Sequence, residues 1–272
     1  WDYKVQLQRP SWATVYERRQ GRGDPGSIDT ILTAHKGIRH RIRQIVDRLR
    51  PQGISRQRRL EDGDELDLGA AVDAIVMTRI GLQPDPRITM RNVVNRRDLA
   101  VMILLDLSES TNETVRGSDK TVLELTREAS ALVASAIDGI GDPFAIHGFA
   151  SDGQHDVHYY RFKDFEQRLD ADVKSRMAGM AGGLSTRMGA AMRHAAHHLS
   201  RRPEQHKLLL IVTDGEPADI DERDPQYLRM DAKKAASELQ QMGINSYCLT
   251  LDPEADRYVS RIFGANNYTI ID

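Results

Sequence analysis

The chain has 272 residues, a formal net charge of −2, 40% hydrophobic residues and 29% charged residues, a composition typical of a soluble globular protein. The near-zero charge gives no global attraction to nucleic acid or membrane, and a single cysteine, Cys248, excludes an internal disulfide. No apolar run approaches the roughly 20 residues of a membrane helix and no signal peptide opens the chain, so we expect a cytoplasmic protein, and the start at Trp1 rather than methionine indicates part of a longer one.

The first part of the chain, residues 1–97, is predicted to be an N-terminal helical extension. A polar, Gly-rich stretch over residues 18–27 predicts a loop. Apolar residues at helical spacing then predict a helix over residues 28–49. A second helix is predicted to begin after Asp67, a suitable N-cap, and to end near Gly81. Both helices have an apolar face that needs a partner, either the other helix or the rest of the chain.

From residue 98 to residue 272 the pattern changes to alternating strands and helices, and we expect one domain. Strands are predicted at residues 99–105, 144–150, 156–162, 207–213, 245–251 and 267–271. Helices are predicted at residues 119–138, 164–175, 187–200, 229–242 and 254–263. Such alternation with short connections is typical of a mostly parallel sheet with helices on both faces, so the predicted fold class is α/β.

Three polar segments of this domain carry residues that could bind a ligand together. They are Asp106-Leu107-Ser108-Glu109-Ser110, the Gly-rich segment that ends at Thr186, and Thr213-Asp214-Gly215-Glu216. The first and the last follow apolar runs that are typical of strands buried on both faces. Ligands of open α/β sheets gather outside the carboxyl ends of such strands. Two acids and three hydroxyls from distant segments therefore indicate a hard-cation site rather than a catalytic triad.

Magnesium suits this set of side chains, because it takes oxygen ligands in near-octahedral geometry and keeps several waters. A site ligated mainly by neutral hydroxyls leaves the ion strongly electrophilic and leaves a position for a carboxylate of another protein. We therefore expect protein binding rather than hydrolysis. The structural alternative is that Ser108 and Ser110 cap the next helix while Asp214 forms a turn with Gly215.

The three segments together resemble the metal-ion-dependent adhesion site of von Willebrand factor A domains, over about residues 98–272. The resemblance implies a Rossmann-like domain with a central, mostly parallel sheet and a bound divalent cation, Mg²⁺. The metal ligands that it implies are Asp106, Ser108, Ser110, Thr186 and Asp214. The hydroxyls would bind the ion, and the two aspartates would act directly or through water. Glu109 and Glu216 would contact the bound partner near the metal.

The flanking sequence extends the resemblance over nearly the whole chain, to the C-terminal region of the NorD/CbbO group. The segments that carry it include residues 105–112, 141–149, 182–190 and 213–220. Members of this group are non-catalytic adaptors of MoxR-type AAA+ ATPases. The chain has no Gly-x-x-x-x-Gly-Lys-Ser/Thr loop, so the ATPase must be a separate chain.

The resemblance to this group implies one of two client proteins, the enzymes on which the adaptor and its ATPase act. The CbbO type works with the ATPase CbbQ to release inhibitors from rubisco, and the NorD type serves the maturation of nitric oxide reductase. Residue chemistry does not separate the two types, and overall sequence similarity favours CbbO. The expectation is an adaptor that grips an acidic residue of rubisco while a CbbQ-like hexamer supplies the force.

Two further interpretations concern other polar residues. A hydrolase could use Ser108 as nucleophile with a base such as His147, but the Gly-x-Ser-x-Gly motif is missing from the sequence. His194, His197 and His198 lie on one predicted helix and could bind zinc, but no neighbouring Cys, Asp or Glu completes a recognised ligand pattern. We therefore expect these histidines to be solvated or stacked.

Overall fold

The computed structural model describes residues 1–48, 54–94, 98–115, 119–138, 143–252 and 254–270. Contacts group the chain into two units, one of residues 1–47 and 98–272 and the other of residues 48–97. The division expected from the sequence lies at residue 97 alone. The first 47 residues group with the C-terminal domain because they supply a strand to its sheet and a helix to its core.

The described residues form ten strands, eight α-helices and one short 3₁₀ helix. The strands are β1 (Val15–Arg18), β2 (Ile54–Leu60), β3 (Glu65–Leu66), β4 (Thr89–Val94), β5 (Leu99–Asp106), β6 (Phe144–Ser151), β7 (Val157–Lys163), β8 (His206–Thr213), β9 (Ile244–Thr250) and β10 (Tyr268–Ile270). The α-helices are α1 (Pro25–Ala34), α2 (Lys36–Arg48), α3 (Leu68–Arg79), α4 (Val122–Asp138), α5 (Ala171–Ala178), α6 (Met188–Ser200), α7 (Pro225–Gln241) and α8 (Asp256–Phe263). The 3₁₀ helix is Glu109–Asn112. None of the helices in these ranges is both long and apolar enough to cross a membrane.

A seven-stranded sheet forms the centre of the larger unit, in the order β1-β7-β6-β5-β8-β9-β10. Neighbouring strands are parallel except for β6 and β7, which are antiparallel. Helices cover both faces of the sheet. The α/β fold with a mostly parallel central sheet, predicted from the strand and helix alternation, is confirmed.

The central strands are buried on both faces, which explains their almost unbroken apolar sequences. Every residue of β6 is buried. Alternate side chains of β5 point to opposite sides of the sheet, so Met102 and Leu104 join one core and Ile103 and Leu105 join the other. Helices α6, α7 and α8 close the first core, and α1, α4 and α5 close the second.

The N-terminal segment differs from its sequence prediction. β1, for which no strand is predicted, extends the sheet edge parallel to β7, and four residues are too few to show a reliable alternation. Residues 28–49 do not form one helix, because α1 ends at Ala34 and α2 begins at Lys36. The apolar face of α1 has a partner, since Ile28 and Leu32 are buried in the core.

The smaller unit contains strands that the sequence did not predict. β2, β4 and β3 form an antiparallel sheet in that order. β2 carries arginines and a glutamine where an alternating strand would carry apolar residues. The predicted start of α3 is confirmed, because the carboxylate of Asp67 accepts a hydrogen bond from the Gly69 amide at 3.1 Å. The apolar side chains of this helix that remain more than half exposed are Leu68, Val72, Ile75 and Val76.

Close packing between β6 and its neighbours requires glycine at position 148. A Cβ at Gly148 would lie 2.6 Å from Cδ1 of Leu107 and 2.9 Å from a ring carbon of Phe162. We expect Gly148→Ala to lower the free energy of unfolding by about 1–3 kcal/mol, the usual cost of overpacking a core. Denaturant unfolding measures this change.

Gly37→Ala is the matched control for that substitution. Among the described residues, a Cβ at Gly37 would meet no atom within 4 Å, and alanine is the better helix former in α2. Gly37→Ala should therefore leave the free energy of unfolding unchanged or raise it slightly. Equal destabilisation by the two substitutions would contradict the close packing at Gly148.

Candidate metal site

The pairing of β5 with β8 brings two carboxylates to one edge of the sheet. Leu105 and Val212 are in register as parallel partners. Asp106 therefore ends its strand beside the end of β8, which Asp214 follows. This is the edge of an open α/β sheet at which ligands bind.

Asp106 is held by hydroxyl and amide donors from three loops. Its Oδ1 accepts hydrogen bonds from the Ser108 amide at 3.0 Å and from Oγ1 of Thr186 at 3.4 Å. Its Oδ2 accepts from Oγ1 of Thr213 at 2.7 Å. Only 2% of Asp106 is exposed, so these donors replace most of its hydration.

A chain of hydroxyls connects the first loop to the second aspartate. Oγ of Ser108 lies 3.1 Å from Oγ of Ser110, and the Ser110 hydroxyl donates to Oδ1 of Asp214 at 2.9 Å. The structure thus brings together all five side chains that the resemblance implies as metal ligands. The side chain of Ser108 makes no capping hydrogen bond to the 3₁₀ helix that follows it, so the structural alternative of a capping serine does not describe Ser108.

Backbone hydrogen bonds fix the Gly-rich segment over this loop. The Gly183 amide donates to the Leu107 carbonyl at 2.8 Å, and the Thr186 amide donates to the Ala218 carbonyl at 2.7 Å. Leu184 lies between them with φ of 69°, a left-handed conformation that non-glycine residues seldom adopt. Thr186 is consequently buried beside Asp106.

Electrostatics disfavour the charged form of both carboxylates. Burial, and next the charge of Asp214, raise the pKa of Asp106 to about 6. Burial also raises the pKa of Asp214, and although a hydrogen bond from Ser110 opposes this effect, the charges of Glu113 and Asp252 add to it. A divalent cation would relieve this repulsion. Two carboxylates and three hydroxyls are also the oxygen donors that Mg²⁺ prefers, so the residues fit the ion.

Two residues beside the site, Thr213 and Arg187, have roles that the sequence motifs did not predict. The Thr213 hydroxyl contacts the Gly215 carbonyl at 3.0 Å as well as Asp106. The position of Thr213 in the Thr-Asp-Gly-Glu segment is the sequence feature that could have predicted this role. Arg187 is buried, and its Nε donates to Oδ2 of Asp219 at 2.7 Å. This ion pair fixes the loop after β8. The burial of Arg187 could not be predicted, because no sequence pattern marks an arginine as buried.

The two glutamates expected near the metal have different surroundings. Glu109 is exposed at the start of the 3₁₀ helix. Glu216 forms an ion pair with Arg229 of α7. The carboxylate of Glu216 is therefore already paired with an arginine of the same chain, whereas the carboxylate of Glu109 is exposed to solvent.

Known proteins similar to this chain include a protein family and solved structures with a similar fold. The family model of the von Willebrand factor type A domain matches residues 100–271. The PilB minor pilin from Streptococcus sanguinis has a TM-score of 0.51 at 15% identity, over 66% of this chain and 58% of the pilin chain. The vWF domain of the type V pili tip protein Mfa5 from Porphyromonas gingivalis has a TM-score of 0.51 at 9% identity, over 64% of this chain and 89% of its own. At these identities the likeness concerns the fold alone.

Curated relatives match the chain from end to end. Protein NorD of Brucella melitensis is 34% identical over 272 residues, and Protein NorD of Stutzerimonas stutzeri is 32% identical over 273 residues. An uncharacterized protein of Pseudomonas aeruginosa is 33% identical over 274 residues. Each alignment covers 100% of this chain but only 42% to 44% of the relative. The chain thus spans less than half the length of these relatives.

The raised pKa of Asp106 predicts a pH-dependent stability in metal-free buffer. Because the folded state binds this proton more tightly than the unfolded chain, stability falls as pH rises through the interval between the two pKa values. The change from 3.8 to about 6 corresponds to a loss on the order of 3 kcal/mol. Asp106→Asn does not titrate, so its stability advantage over the unmodified chain should grow between about pH 4 and pH 6. Denaturant unfolding at several pH values measures this difference.

Saturating Mg²⁺ should reverse that order near neutral pH, because the ion binds the native state of the unmodified chain and stabilises it. Ser200→Ala is the control, since Ser200 is exposed at the far end of α6 from Thr186. It should respond to Mg²⁺ like the unmodified chain. An equal response in Asp106→Asn, or none in the unmodified chain, would contradict the assignment of the metal site.

Proposed function

Because the chain belongs to the von Willebrand factor type A domain family, we propose that its sheet-edge site binds Mg²⁺ and, through the ion, a carboxylate of another protein. The observation that carries this proposal is the convergence of five oxygen-bearing side chains from three separate loops. They are Asp106, Ser108, Ser110, Thr186 and Asp214. Ser110 is exposed, which gives a partner access to the site from solvent.

Each residue of the site has a distinct task in this proposal. The hydroxyls of Ser108, Ser110 and Thr186 hold the ion without cancelling its charge, and the aspartates bind it directly or through water. When bound, the ion supplies the positive charge that attracts a client carboxylate. Thr213 restrains Asp106 through its 2.7 Å hydrogen bond, so the ligand geometry is set before the partner arrives.

The surroundings of the site favour a protein partner over a small molecule. Leu184, beside Thr186, is 41% exposed, and Ile220, in the loop after β8, is 71% exposed. Protein interfaces combine an apolar centre with polar groups at the rim, and these two side chains offer apolar contact area near the polar site. We expect these two side chains to contact the client around its carboxylate.

We infer that the longer protein containing this chain is a NorD-type adaptor. Relatives named NorD support this inference over the CbbO type expected in the sequence analysis, and these relatives lend no support to rubisco as client. By that resemblance the client is nitric oxide reductase during its maturation. A separate MoxR-type AAA+ ATPase supplies the force, and this chain grips the client without catalysing a reaction.

Contacts around Ser108 argue against the alternative of a serine hydrolase. The Ser108 hydroxyl lies against Ser110 rather than against an imidazole. Both ring nitrogens of His147, the candidate base, have other partners. Nδ1 lies 2.8 Å from the Tyr159 hydroxyl, and Nε2 lies 3.2 Å from Oδ1 of Asp164. The adaptor is therefore the better-supported function.

Replacing Ser108 and Ser110 together by alanine tests the adaptor in the full-length protein. The fold should persist, because Ser108 precedes the short 3₁₀ helix and Ser110 lies within it, and neither belongs to either apolar core. Activation of nitric oxide reductase in the presence of the cognate ATPase should fall to background, since the ion loses two ligands. Reductase activity of the matured client is the measurement, with circular dichroism as the check on folding.

Ser200→Ala, introduced in the same protein, should retain full activation. Normal activation by the double alanine variant would contradict the proposed role of the metal site. Reactivation of inhibited rubisco by the unmodified protein, with no effect on nitric oxide reductase, would refute the NorD-type assignment and leave the metal site standing.

A further inference from the structure

Three side chains with metal-binding atoms meet between β1 and α6. Glu17 belongs to β1, and His194 and His198 lie one helical turn apart on α6 and face the same side. Nε2 of His194 lies 3.0 Å from Oε1 of Glu17, and Nε2 of His198 lies 2.9 Å from the same oxygen. All three ligand atoms lie within 4.8 Å of one another.

The two separations that involve Glu17 are close to those of a tetrahedral metal centre. With zinc-to-ligand bonds of about 2.0–2.1 Å, ligand atoms lie about 3.3–3.4 Å apart. Binding the ion would require both imidazole nitrogens to move a few tenths of an ångström away from Oε1 of Glu17. Two imidazoles and one carboxylate form a ligand set that Zn²⁺ uses readily, with water in the fourth position.

Neighbouring groups already orient the three ligands. The second oxygen of Glu17, Oε2, accepts a hydrogen bond from Nη1 of Arg161 at 3.1 Å. The ring of His198 stacks on buried Tyr159 with 15° between their planes, and the ring of His194 meets Tyr159 edge-on at 4.5 Å between centroids. Contacts of this kind fix ligand orientation and increase the affinity of metal sites.

The charge state of the cluster also suits a cation. Burial acts to raise the pKa of Glu17, but hydrogen bonds from His194 and Arg161 outweigh it and lower that pKa to about 2. Burial, and next the neighbouring His147, lower the pKa of His198 to about 4. At neutral pH the carboxylate is therefore ionised and the His198 ring is neutral, the forms in which both side chains bind metals.

The positive charge of Arg161 is offset within the same cluster. Its Nε donates to Oδ1 of Asp164 at 2.9 Å, and Nη2 lies 2.8 Å from Oδ2 of that residue. The two carboxylates of Glu17 and Asp164 and the guanidinium of Arg161 together carry a net charge of about −1, which favours a cation. Glu17 is exposed, so an ion can reach the cluster from solvent.

We propose that Glu17, His194 and His198 form a Zn²⁺ site that fixes the edge strand β1 to α6. From sequence alone these histidines are expected to be solvated or stacked, because a third ligand is missing nearby. In the folded chain the third ligand is Glu17, which lies 177 residues before His194 in the sequence. With nitrogen ligands this site prefers zinc, whereas the oxygen ligands at the sheet edge prefer magnesium.

Zinc binding to the untagged 272-residue chain tests the proposal. We would titrate Zn²⁺ against a chromophoric chelator in saturating Mg²⁺, with and without Asp106→Asn. One equivalent should bind in both backgrounds and raise the melting temperature. His198→Ala and Glu17→Gln should each weaken binding by about tenfold or more. Co²⁺ in place of zinc should give the visible absorption of a tetrahedral centre.

His197→Ala is the matched control, because His197 lies on the same helix but is exposed and outside the cluster. It should bind zinc like the unmodified chain. Equal weakening by His197→Ala would overturn the proposal, as would the absence of zinc binding. Loss of the cobalt spectrum in Asp106→Asn would place the ion at the sheet edge and also overturn it. Glu17→Gln preserves size and shape, so the test stands even if His198→Ala fails to fold.

Discussion

The parallel pairing of β5 with β8 is the constraint on which the candidate site depends. Their register places Asp106 and Asp214 at one edge of the sheet, where burial raises the pKa of both carboxyl groups and the charge of Asp214 adds to the effect on Asp106. Hydroxyls from Ser110 and Thr213 hydrogen-bond to these carboxylates and hold them in place. In the proposed metal site a divalent cation would remove this electrostatic penalty, so the strand pairing that builds the core would also favour binding of the ion.

The rigidity of the site follows from the same architecture. The loops that carry its ligands are tied to one another by backbone hydrogen bonds and by the ion pair of Arg187 with Asp219. In the proposed complex a partner would meet ligands that are already arranged, which would lower the entropic cost of binding. The N-terminal segment adds to this frame, because β1 extends the sheet and carries Glu17 to the histidines of α6.

Much of the fold could be predicted from sequence, because apolar runs and helical periodicity mark β5, β8 and the helices between them. The five candidate ligands could also be proposed from sequence, since two of their three segments follow apolar strands and all three resemble a known motif. Strands β1 and β2 could not be predicted. β1 is only four residues long, and β2 lacks an apolar alternation. Glu17 could not be predicted for a different reason: its partners are remote in sequence, and only tertiary packing brings them together.

In the proposed mechanism an ion at the sheet edge offers a coordination position to a client carboxylate. The most direct measurement is the number of waters bound to Mn²⁺ substituted at this site, obtained from magnetic relaxation before and after addition of the client. We predict that one bound water is lost when the client binds, and that the loss disappears when Asp106 is replaced by asparagine. An unchanged number of bound waters in the complex would contradict the account.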